Sequence, residues 1–292
     1  MGIAMAATEL ILVTGASGNV GRHVVRRLLE EGRAVRVLTR DPARTAFPDG
    51  VEVVAGDLAD PDSVRPALAG AGAVFLLWPT LAADHAADRT VPLLAEGGRR
   101  VVYLSARGVP DTGAGEAAEG IMGSHQMIER LLRESGADWT FVRPGGFAAN
   151  VAPWFAELRD TGEVAMAHPG LSRALIHEAD IAEVAVRALV EDGHGGAVYE
   201  ITGPEALTQQ EQARAVAEAL GVPLRIRVLT EEEAVERMVA AGYPRDMSAS
   251  VLAGQAAMLA APDTPTPVFE RVTGRKARDF RTWAADRVRA LR

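Results

Sequence analysis

Thr14-Gly15-Ala16-Ser17-Gly18-Asn19-Val20-Gly21 links a β-branched apolar run, Leu10 to Thr14, to a segment from Asn19 to Glu31. In that segment Val20, Val24, Leu28 and Leu29 recur at helical spacing, and Gly32 ends the pattern. A strand, a glycine-rich turn and a helix in this order form a backbone cradle for an anion. Gly15 permits the tight turn, Gly18 lets main chain approach a diphosphate, and Gly21 lets the helix pack closely on the sheet. Amides at the helix start then face the anion, and the helix dipole favours its charge. Turns of this kind also serve purely structural ends, but five further strands behind this one point to dinucleotide binding. The rival nucleophile elbow, Gly-x-Ser-x-Gly, needs glycine where Asn19 stands, and no such pentapeptide occurs elsewhere.

Outward from the turn, short apolar runs alternate with helical patterns. Ala34 to Thr39, Val51 to Ala55, Ala73 to Leu77, Arg100 to Leu104 and Trp139 to Val142 read as strands buried on both faces. The pattern predicts an α/β fold, a doubly wound parallel sheet of Rossmann type, with a dinucleotide-binding domain over residues 9–146. Past Pro144 it loosens into loops around Pro153, His168 and Pro169, although Glu178 to Glu191 reads as a helix. Ala197 to Ile201 reads as a strand that rejoins the sheet. Residues 147–292 otherwise form a smaller C-terminal substrate lobe over the sheet's carboxyl edge, with helices at Thr208 to Leu220, Glu231 to Ala241 and Asp279 to Leu291. Pro262 to Pro267 is a loop, and residues 1–8 read as a disordered lead-in.

Composition narrows the chemistry. With 292 residues and 48% hydrophobic content the chain can bury a sizeable core. A net charge of −8 argues against nucleic acid, which calls for a basic surface. There is no cysteine, so disulfides, thiol nucleophiles and thiolate metal sites are excluded. One of the 31 Lys and Arg residues is a lysine, Lys276 between Arg275 and Ala277, so no Gly-Lys-Ser/Thr phosphate loop exists. No segment reaches the roughly 20 apolar residues of a membrane span, and the start carries no basic secretory signal, so a cytoplasmic protein is expected.

The second strand bears on which dinucleotide is bound. It ends Leu38-Thr39-Arg40, and arginine at this place accommodates the extra phosphate of NADP(H), which a guanidinium holds bidentately. NAD(H) is the less favoured cofactor. Asp41 follows, but before Pro42 it is equally explained as a turn or helix-start residue.

Val13 to Gly21, Gly56-Asp57-Leu58 and Phe141-Val142-Arg143-Pro144-Gly145, in that order, resemble the atypical short-chain dehydrogenase/reductases. Leu104-Ser105-Ala106, His125 through Glu129, Asp180-Ile181-Ala182 and Ile201-Thr202-Gly203-Pro204 narrow the likeness to the NmrA-like group, over residues 9 to 220. The resemblance implies that Gly15, Ser17, Gly18, Asn19, Val20 and Gly21 hold the diphosphate and that Asp57 and Leu58 flank adenine. It places Leu77, Trp78 and Pro79 along the adenosine ribose. Ser105, His125, Pro144, Gly145 and Phe147 would border the nicotinamide half.

One departure matters. Ordinary relatives reduce carbonyls with a Tyr-x-x-x-Lys pair, and here Tyr103, Tyr199 and Tyr243 are followed four residues on by Arg107, Gly203 and Met247. The tyrosine and lysine positions align with Ile121 and His125, as in quinone-reductase-like members. Ser105 and His125 are therefore the candidate catalytic residues, against blander readings as a turn cap and a helix-start contact. Phe147, Trp154 and Trp78 could form a flat wall for an aromatic or quinone-like substrate, although aromatics are more often core. His168, His177 and Asp180 have no metal-ligand spacing, so no metal is expected. The run Glu231-Glu232-Glu233 reads as the acidic first turn of a helix. The expected activity is hydride transfer from NADP(H) to a quinone-like or conjugated aromatic carbonyl. A non-catalytic redox sensor and a tailoring enzyme acting on an aromatic polyketide are the alternatives, and oligomeric state is left open.

Overall fold

The hydroxyl of Thr14, last residue of strand β1 (Leu10–Thr14), accepts from the Leu77 amide at 2.8 Å and donates to the Leu77 carbonyl at 3.0 Å. This clamps β1 to the end of β4 (Ala71–Leu76), its parallel neighbour. The computed structural model describes residues 9–79, 86–111, 120–261 and 263–291, so the lead-in expected at residues 1–8 lies outside the described residues.

The first of two compact units comprises Met1–Pro144 with Glu178–Ile201. Its other strands are β2 (Ala34–Thr39), β3 (Val51–Ala55), β5 (Arg100–Leu104), β6 (Asp138–Pro144) and β9 (Val198–Ile201). They form one parallel sheet in the order β3-β2-β1-β4-β5-β6-β9, which is the doubly wound Rossmann arrangement expected, with the returning strand at its edge. Strand order reverses beside β1, so the glycine turn lies at the sheet's switch point, where open α/β sheets bind ligands.

Side chains alternate across each strand. Leu12, Leu76, Tyr103 and Phe141 join α2 (Pro61–Leu68), α3 (Ala87–Ala95) and α4 (Gly120–Glu134) in one core. Helices α1 (Gly21–Glu30) and α6 (Glu178–Val190) pack on each other, and α6 also packs on β4, β5 and β6. Ten residues of α6 are buried, which makes it the first unit's most enclosed helix despite lying past Pro144 in sequence.

The second unit comprises Gly145–His177 and Thr202–Arg292. Pro153, expected in a loop, opens helix α5 (Pro153–Thr161), since a first helical position needs no amide hydrogen bond. Strand β7 (Glu163–Met166) pairs in parallel with β11 (Arg225–Val228), and β8 (Ser172–Arg173) pairs antiparallel with β10 (Leu207–Thr208). Phe155, Leu158, Met166, Val216, Phe280 and Trp283 share a core built with α7 (Gln209–Leu220) and α11 (Phe280–Ala290). Glu231-Glu232-Glu233 is the first turn of α8 (Glu231–Ala240), where Thr230 and Glu233 form a reciprocal cap. Helix α9 (Arg245–Leu259) was not legible in the sequence, because it buries only Ser248 and Leu252 and so shows no apolar stripe. Helix α10 (Val268–Thr273) completes the unit.

A Cβ at residue 21 would lie 2.1 Å from the Gly15 carbonyl oxygen, whereas one at Gly254 in α9 meets nothing within 4 Å. Gly21→Ala is expected to destabilise by about 1–3 kcal/mol through forced backbone movement. Gly254→Ala should be neutral or stabilising by up to about 1 kcal/mol. Urea unfolding midpoints of the two variants check this, and equal midpoints would refute the close approach.

Candidate functional site

The turn after β1 leaves backbone amides open at the start of α1. Gly15 has φ +61, a left-handed conformation that glycine adopts without strain, and its absent side chain leaves Leu77 room to close on it. Helix α1 has no side-chain cap and no acidic residue in its first turn. The amides of Asn19 and Val20 meet no acceptor among the described residues, while the side chains of Ser17 and Asn19 are exposed. Uncapped amides at a helix start carry partial positive charge, so a diphosphate fits the residues present.

Arg40 stands exposed just past β2, the strand beside β1, and pairs with no carboxylate among the described residues. Asp41 is used locally: its Oδ1 accepts from the Ala43 amide at 3.1 Å and caps the turn Pro42–Arg44. After β3, Asp57 Oδ1 accepts from the Ala59 amide at 2.9 Å, and the Leu58 carbonyl accepts from Thr90 Oγ1 at 2.8 Å. Both interactions fix the backbone at the strand's carboxyl end. Past β4, Leu77 is half-buried and Pro79 exposed, whereas Trp78 is buried in the first unit's core, and its Nε1 has no hydrogen-bond partner among the described residues.

A buried polar network occupies the ends of β5 and β6. Ser105 Oγ donates to Glu129 Oε1 at 2.6 Å. Glu129 is fully buried and chelated by Arg143, whose Nε reaches Oε1 at 2.9 Å and Nη2 reaches Oε2 at 2.7 Å. Arg133 adds a bond to Oε2 at 3.1 Å, and its guanidinium lies 4.7 Å from the centre of the Phe141 ring. One turn before Glu129 on α4, His125 Nδ1 lies 2.6 Å from Tyr103 Oη. Burial lowers His125 to about 4, against the opposing pull of Glu129, and raises the Tyr103 phenol well above its usual range. At neutral pH His125 is therefore an uncharged imidazole, and the single Ser105 proton is committed to a carboxylate. Sequence reading had singled out Ser105 and His125 but missed Tyr103, Glu129 and Arg143. A charged residue inside the apolar strand Phe141-Val142-Arg143-Pro144 was the available signal, since a buried arginine demands a buried counter-ion.

Pro144 ends β6, and its carbonyl accepts from the Arg107 amide at 3.1 Å. In the second unit the Gly145 carbonyl accepts from Arg173 Nη2. Phe147, half-buried, bridges to Ile176. Trp154 lines a cavity of about 290 Å³ with Asn150, Leu175, Gln209, Met238 and others; Phe147 does not. Of the aromatic residues singled out in the sequence, Trp78 belongs to the first unit's core and Trp154 lines this cavity of the second unit. His168 Nε2 lies 4.0 Å from Glu231 and His177 Nε2 3.4 Å from Asp286, and among the described residues no group of three or more His, Asp or Glu side chains could hold a metal.

A family model described as NAD(P)H-binding matches residues 15–192. A (4-alkanoyl-5-oxo-2,5-dihydrofuran-3-yl)methyl phosphate reductase from Streptomyces griseus is 37% identical, the match covering 97% of this chain and 99% of that protein. An NAD(P)H azoreductase from Xenophilus azovorans is 34% identical, with 94% and 96% covered. The solved NADPH complex of an NADPH-dependent quinone oxidoreductase from Escherichia coli shares the fold with a TM-score of 0.77 at 21% identity, over 96% of this chain and 99% of that one.

Two predictions follow from the network. Glu129→Ala strips Arg143, 3% exposed, of its bidentate partner and leaves the more exposed Asp111 and Glu200, so a loss of about 3 kcal/mol is expected in denaturant unfolding. His125 binds its proton more weakly folded than unfolded, so its contribution is present in full above about 6.5 and is lost as pH falls toward about 4. That limb amounts to at most ~3 kcal/mol; unfolding of wild type and His125→Gln across pH 4 to 7 should show a flatter limb in the variant.

Proposed function

This chain belongs to the NAD(P)H-binding family, and we propose that it is an NmrA-like member of the atypical short-chain dehydrogenase/reductases, an NADP(H)-dependent oxidoreductase acting on a quinone-like or conjugated aromatic acceptor. The observation that carries this reading is the uncapped glycine turn at the sheet's switch point, with Arg40, which pairs with no carboxylate among the described residues, just past the adjacent strand. When bound, the reduced coenzyme supplies a hydride to the acceptor.

The chain's own residues do the rest. Amides of Asn19 and Val20 hold the diphosphate, with Ser17 and Asn19 side chains at the same turn. Arg40 pairs with the ribose phosphate that distinguishes NADP(H). Asp57 and Leu58 flank the adenine, Leu77 and Pro79 follow the adenosine ribose, and Ser105 and His125 border the nicotinamide half. Trp78, being core, contributes by supporting the chain between Leu77 and Pro79 rather than by contact.

The missing Tyr-x-x-x-Lys pair points to the acceptor. A simple ketone needs a strong side-chain acid as its alkoxide forms, whereas the conjugated oxyanion of a quinone is stabilised and takes its proton from water. Reductase names at 34 and 37% identity over nearly the whole chain support turnover, and a cavity of ligand size in the second unit supports a small-molecule substrate. Among the described residues no helix is long and apolar enough to cross a membrane.

Steady oxidation of NADPH with a panel of quinones, followed by absorbance, is the direct test; tight coenzyme binding with no oxidation would refute the catalytic reading. Arg40→Ala should weaken NADPH binding by about 1.5–3 kcal/mol, the worth of hydrogen bonds to a charged group, and leave NADH nearly unaffected. Equal losses by calorimetry would remove Arg40 from the phosphate.

A further inference from the structure

We propose that Tyr103 is a positioning residue that locks His125 in its Nε2–H form, so that a neutral imidazole donates a hydrogen bond to the acceptor's oxygen. The inference rests on the reductase reading above and adds to it the group that meets the developing charge.

The geometry leaves one good assignment of protons. Tyr103 Oη is fully buried, and its bond to His125 Nδ1, at 2.6 Å, is the one polar contact it makes among the described residues. If Nδ1–H donated to the phenol, the buried phenolic proton would be left without an acceptor among the described residues, an unfavourable state for a buried donor. If the phenol donates, its proton is satisfied and the imidazole must carry its hydrogen on Nε2. Burial keeps the phenol protonated and the imidazole neutral. The charged groups facing His125, Glu129 on the same helix and Arg143 on β6, pull in opposite directions and neutralise each other as an ion pair.

Placement agrees with this role. Tyr103 sits one residue before the end of β5 and His125 one turn before Glu129 on α4, whose carboxylate ties down Ser105 just past the strand end. The pair thus lies at the carboxyl ends of parallel strands, where ligands of this sheet architecture bind. His125 is 8% exposed, whereas Tyr103 is wholly enclosed behind it. A neutral imidazole is a competent donor to a carbonyl oxygen and adds no charge to the site.

The step balances without proton transfer from protein. With the nicotinamide coenzyme as reductant, the acceptor gains a hydrogen and an electron pair and negative charge gathers on its oxygen. Nε2–H stabilises that oxygen, and water then supplies the proton, leaving His125 and Tyr103 unchanged.

Nitrogen NMR of the full chain, labelled at histidine and free of coenzyme, reads the tautomer directly. Nε2–H is expected for His125 at neutral pH, and Tyr103→Phe should convert it to a mixture. An Nδ1–H form in wild type would overturn the proposal whether or not any variant folds. With a quinone as acceptor, Tyr103→Phe should lower kcat by about tenfold, a weaker loss than removal of an oxyanion donor outright. The Kd for NADPH should stay within about twofold, since a positioning role spares binding. His125→Gln, which keeps an N–H near the Nε2 position, should retain more of kcat than His125→Leu; equal loss would also overturn it. Absence of quinone turnover in wild type alongside the expected tautomer would instead fault the reductase reading.

Discussion

The approach of helix α1 to the turn after β1 is the contact on which the first unit's architecture rests. Gly21 lies against the Gly15 carbonyl at a distance that no Cβ could occupy, and Gly15 itself turns back through a left-handed conformation beneath Leu77. Both constraints bring the start of α1 onto the sheet, where its uncapped amides gather at one point. The Thr14 hydroxyl makes the same point rigid from below, since it joins β1 to the backbone leaving β4. A backbone cradle with the charge and shape to suit a doubly charged diphosphate thus arises from close packing, with no cationic side chain in the turn itself.

The buried network at β5 and β6 follows a different logic. Glu129 and Arg143 are both removed from water, and such a pair is stable only when its remaining hydrogen-bonding capacity is met. Ser105, Arg133 and Glu200 meet it, so each partner is fixed in position by at least two others. The consequence for the site is order. Ser105 has its proton spent, and His125, beside a compensated ion pair, is held neutral by burial and oriented by Tyr103. Such an arrangement suits hydrogen-bond stabilisation of charge better than proton donation.

The second unit is stabilised by aromatic packing around Phe155, Phe280 and Trp283, and it carries its own cavity. Asn150, three glutamines, Arg173, Arg237 and Trp154 line that cavity together with aliphatic side chains and methionines. Two-stranded pairings replace the broad sheet here, so side-chain packing rather than a strand ladder holds the unit together.

Much of the first unit was legible in sequence because its signals are local. The turn from Gly15 to Gly21, the apolar strands and the return of β9 each need only neighbouring residues to be recognised, since glycine, β-branching and periodicity act through backbone sterics and one-sided burial. Asp41 could be read as a cap for the same reason. The second unit was less legible where no single face is buried, as in α9, and where proline marks a helix start instead of a loop, as at Pro153. Tertiary structure alone decided the pairing of Glu129 with Arg143, of Tyr103 with His125, the core position of Trp78 and the placing of α6 within the first unit. Those depend on which distant residues share a buried volume, and whether a charge or an imidazole is neutralised by water or by a partner is settled only when that volume closes.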